Sequence, residues 1–141
     1  MFTSNIKLKS QRGQIRKTIV VYVILALTMI VINYVYGIFG HGVSSPAMTW
    51  MFLYPLLGGA LLFLLIDRLT PGITQYTGYR VFVNDYHSGI ATLTLGQFLK
   101  GILDIAGTSS PYIVFFYGTG WSFIGVGLIL LLRLIAKHRR N

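Results

Sequence analysis

The chain has 141 residues, a formal net charge of +9 at pH 7 and no cysteine. Charged residues make up 11% of it and hydrophobic residues 54%, whereas soluble domains carry about a quarter charged residues. This composition, with a mean hydropathy of +0.67, excludes an ordinary soluble domain and indicates a membrane protein. The lack of cysteine excludes disulfides, thiol catalysis and cysteine-ligated metals.

The first 17 residues are basic and contain no acidic residue. Their cations are Lys7, Lys9, Arg12, Arg16 and Lys17. Near a membrane surface, each cation contributes about 1 kcal/mol of attraction to anionic lipid headgroups. We therefore predict a basic tail over 1–17 that binds the lipid bilayer, and we expect no nucleic-acid partner.

Four apolar segments follow, and each has about the 20 residues that an α-helix needs to cross a hydrocarbon core of roughly 30 Å. They predict transmembrane helices at 18–39, 47–66, 88–107 and 112–132. Little chain remains for anything else. The predicted fold is therefore an all-α membrane protein with four transmembrane helices.

Two predicted spans carry patterns that indicate contacts between helices. In the first span, a stripe at helical spacing consists of Tyr22, Ala26, Met29, Asn33 and Tyr36. In the fourth, the small residues Gly118, Ser122 and Gly125 share one face, and small residues let membrane helices approach closely. We expect both faces to pack against other helices, and we expect the long first span to remain as an uncleaved signal anchor.

The cations outside the spans all fall on one side of the membrane. The connection 67–87 contains Arg68 and Arg80, and the tail 133–141 contains Arg133, Lys137, Arg139 and Arg140. The loops after the first and third spans contain neither Lys nor Arg. Because cytoplasmic loops carry the excess of basic residues, this pattern predicts that the connection and both termini are cytoplasmic.

A short sequence recurs at an offset of 65 residues. Residues 42–46 read GVSSP and residues 107–111 read GTSSP, while Arg68 and Arg133 close the spans that follow. One interpretation is two similar helical hairpins in tandem, related by an axis along the membrane normal. The other is local, because Ser caps a helix start and Pro is tolerated at the first helical position.

The third span contains the only charged side chains in any predicted span, and it is the best functional lead. Its polar stripe consists of Thr94, Gln97, Lys100 and Asp104. A charge inside a bilayer costs roughly 2.5–3.5 kcal/mol on insertion scales, so it usually has a partner or a function. One interpretation is a polar groove for a proton, an ion or a small solute. The other is a structural pair, within the helix or between helices, although Lys before Asp is the less favourable order.

The remaining candidate residues are weaker. His41 lies in the first outer loop, His87 lies at the cytoplasmic start of the third span, and Asn33 is a polar residue within the first. Two histidines can hold a haem, but these would lie about 30 Å apart, so a haem would need equivalent histidines from two chains. With no Glu and three Asp, the chain supplies no catalytic set and no metal site.

Two stretches resemble a family of small uncharacterised membrane proteins of Gram-positive bacteria. They read HGVSSPAMTWMFLYPLLGG from His41 and YHSGIATLTLGQFLKGILDIAGTSSPY from Tyr86. The resemblance covers roughly the middle half of the chain. It implies four helices and a bacterial cell membrane, and it implies no activity or functional residue.

Together these patterns predict a non-enzymatic integral membrane protein, either an accessory subunit of a membrane complex or a self-associating bundle. Its expected partner is a second copy or another membrane protein. The alternatives are a small transport subunit that uses the polar groove and a haem-binding electron carrier.

Overall fold

The computed structural model describes residues 2–140, which are almost entirely helical and contain no β-strand. Met1 and Asn141, the outermost residues of the two predicted tails, lie outside the described part. The helices are α1 Phe2–Phe39, α2 Pro46–Trp50, a π-helical segment Tyr54–Leu61, α3 Leu62–Leu69, a 3₁₀ turn Ile73–Gln75, α4 Tyr79–Ile105 and α5 Ile113–Arg140. The all-α prediction is confirmed.

Three helices are long and apolar enough to cross a membrane. They are Arg12–Phe39, Pro46–Leu69 and Ile113–Arg140, and they correspond to the first, second and fourth predicted spans. The second, Pro46–Leu69, is composed of α2, the π-helical segment and α3 and is called the second span below. The helix α4, with 27 residues, is about 40 Å long, but its polar stripe makes it less apolar than the other three.

The helices extend further than predicted into the basic segments that flank the spans. Most of the predicted tail 1–17 belongs to α1, most of 133–141 belongs to α5, and α4 begins inside the predicted connection 67–87. The early start of α4 has a packing reason. Phe82 is 0% exposed and Tyr86 is 4% exposed, and both rings contact Phe63 of the second span. Burying two aromatic rings in this way favours two additional helical turns.

The π-helical segment lies where Pro55, Gly58 and Gly59 fall close together. Pro55 has no N–H to close the preceding turn, and side chains that bond into a helix are a known cause of such irregularities. Here the Tyr86 hydroxyl donates a hydrogen bond of 2.5 Å to the Gly58 carbonyl. The widened turn therefore receives part of its hydrogen bonding from α4.

The second span packs against α1 on one side and α4 on another, while α4 also packs along α5. Glycines bring these helices close. A Cβ on Gly101 would lie 2.6 Å from the Met48 Cβ, and a Cβ on Gly120 would lie 2.6 Å from the Leu93 Cγ. A Cβ on Gly89 would lie 3.0 Å from the backbone nitrogen of Ile124, which has little room to yield. Backbone proximity, rather than large side chains, determines the spacing between α4 and α5.

The two predicted contact faces have different outcomes. Tyr22 and Ala26 are buried at 4% and 3% exposure, and Met29, Asn33 and Tyr36 are half-buried, so the stripe of α1 does face the bundle. The face formed by Gly118, Ser122 and Gly125 is exposed instead. It makes no helix contact within the described chain, because α5 turns its other glycines, Gly120 and Gly127, toward α4, so a helix contact at this face stays a prediction.

The two faces of α5 give a matched test of this packing. Gly120→Val should lower the free energy of unfolding by about 1–3 kcal/mol, because the added methyl groups would overpack the contact with Leu93. Gly118→Val should change it by less than about 0.5 kcal/mol, because no other described atom lies within 4 Å of its Cβ position. The measurement is unfolding of the monomer in detergent, and equal losses for the two variants would contradict the structure.

Candidate functional site

Gln97, in the polar stripe of α4, is the centre of a layer of hydrogen bonds between helices. Its amide nitrogen donates to the Tyr54 hydroxyl of the second span at 3.0 Å. Its amide oxygen accepts a hydrogen bond of 3.1 Å from the Tyr117 hydroxyl of α5. Both ends of one side chain are thus used to connect three helices.

One turn further along α4, Lys100 and Asp104 form an ion pair with 3.2 Å between Nζ and Oδ2. The Ser45 hydroxyl donates to the same oxygen at 2.7 Å, and Ser45 is only 1% exposed. The carboxylate therefore accepts from its own helix and from the start of the second span. Lys before Asp is the less favourable order for an ion pair within a helix. The Ser45 hydroxyl, at the start of α2, adds a hydrogen bond to this pair.

Ser45 belongs to the first copy of the recurring Ser-Ser-Pro sequence, and Ser110 is its equivalent in the second copy. Ser45 occupies the N-cap position of α2 without making a side-chain capping bond, because its hydroxyl bonds to Asp104 instead. In the second copy, Ser110 accepts a hydrogen bond of 3.3 Å from the backbone nitrogen of Tyr112. The two loops share a left-handed glycine, Gly42 at φ 88° and Gly107 at φ 71°. Their serines, however, have different partners.

Thr94 is the remaining residue of the predicted polar groove. It is buried, and its hydroxyl donates a hydrogen bond to the carbonyl of Ile90 in its own helix. Gln97, Lys100 and Asp104 are bonded to other side chains, as described above. This arrangement favours the structural interpretation of the stripe. The transport groove stays a prediction.

The weaker candidates share no side-chain contact with one another that the structure records. His41 is an exposed residue of the α1–α2 turn with a positive φ of 51°. His87 pairs through Nδ1 with the Tyr22 hydroxyl and stacks on Phe63 with a centroid distance of 5.5 Å. Asn33 lines a cavity of about 330 Å³ near Ser45 and Thr49. Within residues 2–140, no three His, Asp or Glu side chains come close enough together to hold a metal ion.

One neighbour of the small-residue face of α5 was not predicted from the sequence: Asp85 of α4. A groove of about 570 Å³ runs along the exposed side of α5 and is lined by Phe115, Gly118, Ser122, Val126 and, from α4, Asp85. The Asp85 Oδ2 is buried and has no hydrogen-bond partner among the described residues. A Cβ on Gly127 would lie 3.1 Å from that oxygen, so the oxygen lies against the side of α5 that packs on α4. The only sequence signal was that Asp85 is one of three acids in a strongly basic chain.

The layer around Gln97 predicts a measurable coupling. Gln97→Leu and Tyr117→Phe should each destabilise the protein, and the double variant should lose about 0.6 kcal/mol less than the sum, which is typical of hydrogen bonds between membrane helices. The measurement is a double-mutant cycle of unfolding in detergent. As a control, Tyr34 is 70% exposed on α1, so Tyr34→Phe should add to Gln97→Leu without coupling. Additivity in both cycles would contradict the layer.

Compared with known proteins, the chain matches no family model, no curated protein and no solved structure. The resemblance to membrane proteins of Gram-positive bacteria therefore stays a prediction, and the function has to be argued from the geometry of this chain.

Proposed function

We propose that the protein is a non-enzymatic component of the bacterial cell membrane that self-associates through the exposed face of α5. The observation that carries this proposal is a small-residue face of α5 on which Gly118 and Gly125 have no described neighbour outside their own helix within 4 Å of a Cβ position, beside a groove that Asp85 also lines. The proposal includes four transmembrane segments, with α4 as the third.

Packing supports α4 as a span. In its first half, α4 contacts the second span through Tyr86 and Gly58. Near its last residues, α4 contacts the second span through Gly101 and Met48. A helix that follows a spanning partner along most of its length lies at the same depth. Its polar residues do not oppose this, because they bond to one another and to neighbouring helices.

The orientation is proposed from charge. Lys17, Arg68, Arg80 and Arg133 lie at the same end of the bundle if neighbouring spans run in opposite directions, and basic residues favour the cytoplasmic side. The tandem hairpins gain support from Tyr22 and His87, which contact each other although they lie 65 residues apart. If a two-fold axis relates the two hairpins, residues at equivalent positions come into contact where both lie close to that axis.

The face of α5 fits a membrane-helix interface. Gly118 and Gly125 have open space where a Cβ would be, and the Ser122 hydroxyl bonds back to the Gly118 carbonyl at 2.7 Å. In lipid, helices associate through close packing at such residues, because burial from lipid provides little hydrophobic driving force. The other side of α5 already packs on α4, so an additional contact must come from outside the chain.

A second copy is the occupant that we propose for this face. A two-fold interface requires one self-complementary patch, and a small-residue helix face meets that requirement. Charge is compatible too, because Asp85 lacks a partner whereas the chain has 12 Lys and Arg against 3 acids. Arg133 is one of the cations exposed on α5 itself.

The association is tested by adding bulk to this face. Gly118→Val with Gly125→Val should weaken self-association by at least about tenfold, or roughly 1.4 kcal/mol, without lowering the stability of the monomer. The control is Gly37→Val, because Gly37 is also open but lies on α1. The measurement is energy transfer between labelled chains at increasing dilution in lipid nanodiscs or vesicles. A wild-type chain that remains monomeric, or a double variant that associates normally, would overturn the proposal.

The orientation has its own test with reporter fusions. A reporter after Arg140 should give a cytoplasmic signal, and one inserted at 108–110 should give an external signal. A cytoplasmic signal at both positions would show that α5 does not cross the membrane.

A further inference from the structure

Two adjacent cavities lie between α1 and α4, and their linings differ in chemistry. The first, of about 610 Å³, is almost wholly apolar and is lined by residues such as Leu25, Met29, Ile90 and Leu95. The second, of about 680 Å³, is polar and is lined by residues such as Gln14, Thr74, Tyr79 and Arg80. Thr18 lines both, so together they form one amphipathic cleft.

The cleft exists because α1 and α4 are held apart. Two contacts between aromatic rings join α1 to α4, Tyr22 with His87 and Tyr36 with Phe98. The ring of Tyr22 is fixed by stacking on Phe63 at 5.9 Å. Small and rigid residues, Ala91 and Pro55, line the intervening space. The gap is therefore supported by rigid contacts.

The apolar part has the length of one lipid leaflet. On α1 it extends from Lys17 to Met29, a rise of about 18 Å, whereas half of a hydrocarbon core is roughly 15 Å. The polar part continues from Thr18 toward Ser10, which is the cytoplasmic direction in the orientation proposed above. The inference rests on that orientation, but not on self-association.

The polar part is suited to an anionic headgroup. Arg80 lines it, Lys17 lines the adjoining end of the apolar part, and no acid is among the described lining residues of either. Thr74 also lines the polar part, and its hydroxyl oxygen is buried without a hydrogen-bond partner among the described residues. Tyr79 also lines it, and its phenolic hydroxyl can donate a hydrogen bond. Charge and hydroxyl chemistry together match a phosphate attached to a polyol.

We propose that this cleft binds one anionic glycerophospholipid of the cytoplasmic leaflet, with an acyl chain between α1 and α4 and its phosphoglycerol headgroup beside Arg80. An ordinary annular lipid would contact the outer surface without selectivity. The cleft would recognise two parts of a lipid. The apolar gap would accept an acyl chain, and the basic residues at its polar end would attract an anionic headgroup.

The test is native mass spectrometry of the full chain with phosphatidylglycerol or phosphatidylcholine of the same acyl composition. We expect one tightly bound phosphatidylglycerol per chain and at least about tenfold weaker phosphatidylcholine binding. Equal binding of the two lipids would overturn the proposal. The Gly118 and Gly125 double variant should bind lipid normally, which separates this site from the association face.

Two variants locate the site. Arg80→Gln should weaken phosphatidylglycerol binding about tenfold, whereas Lys137→Gln, the same charge change in the tail, should not. Ala91→Phe should block the apolar part, whereas Ala136→Phe, at an equally exposed alanine of α5, should not. Equal effects of Arg80→Gln and Lys137→Gln would mean diffuse electrostatic attraction and would overturn the site. Arg80 is exposed, so this pair remains informative even if Ala91→Phe fails to fold.

Discussion

The close approach of α4 to its neighbours is the constraint on which the rest of this structure depends. In lipid, the hydrophobic effect contributes little to helix association, so dispersion contacts and hydrogen bonds must hold the helices together. Gly89 and Gly120 bring α4 and α5 to backbone distance, and Gly101 does the same where α4 meets Met48. At that separation, Gln97 can reach two tyrosines and Asp104 can reach Ser45. The polar layer is thus a consequence of the glycine contacts.

Satisfied polar groups explain why the most conspicuous charges do not form the leading functional site. Lys100 and Asp104 attract attention because charge inside a bilayer is costly, yet each has a partner, and Asp104 has two. The groups without partners lie elsewhere. Asp85 has an oxygen without a hydrogen-bond partner buried between α4 and α5, and Thr74, beside the polar cavity, has a buried hydroxyl oxygen without one. Unmet polar groups are better indicators of a missing molecule than charges that are already paired.

The two proposals use opposite sides of the bundle. The association face lies on the exposed side of α5, while the lipid cleft lies between α1 and α4. The helix α4 contributes to both, with Asp85 facing α5 and Ala91 facing the cleft. The association face consists of Gly118, Ser122 and Gly125, whereas Lys17 and Arg80 provide the charge of the cleft, so the two surfaces share none of these residues.

Composition and helical periodicity are enough to predict the helical class, the three most apolar spans and the inward stripe of α1. They also identify Lys100 with Asp104 as a possible pair, since i,i+4 spacing is a local property. The packing of the helices was needed to show that Ser45 joins this pair and that Gln97 connects three helices. It was also needed to show that α5 packs through Gly120 and Gly127 while Gly118 and Gly125 remain exposed. Periodicity marks both small-residue faces of α5 equally well, and only the position of α4 determines which of them is buried.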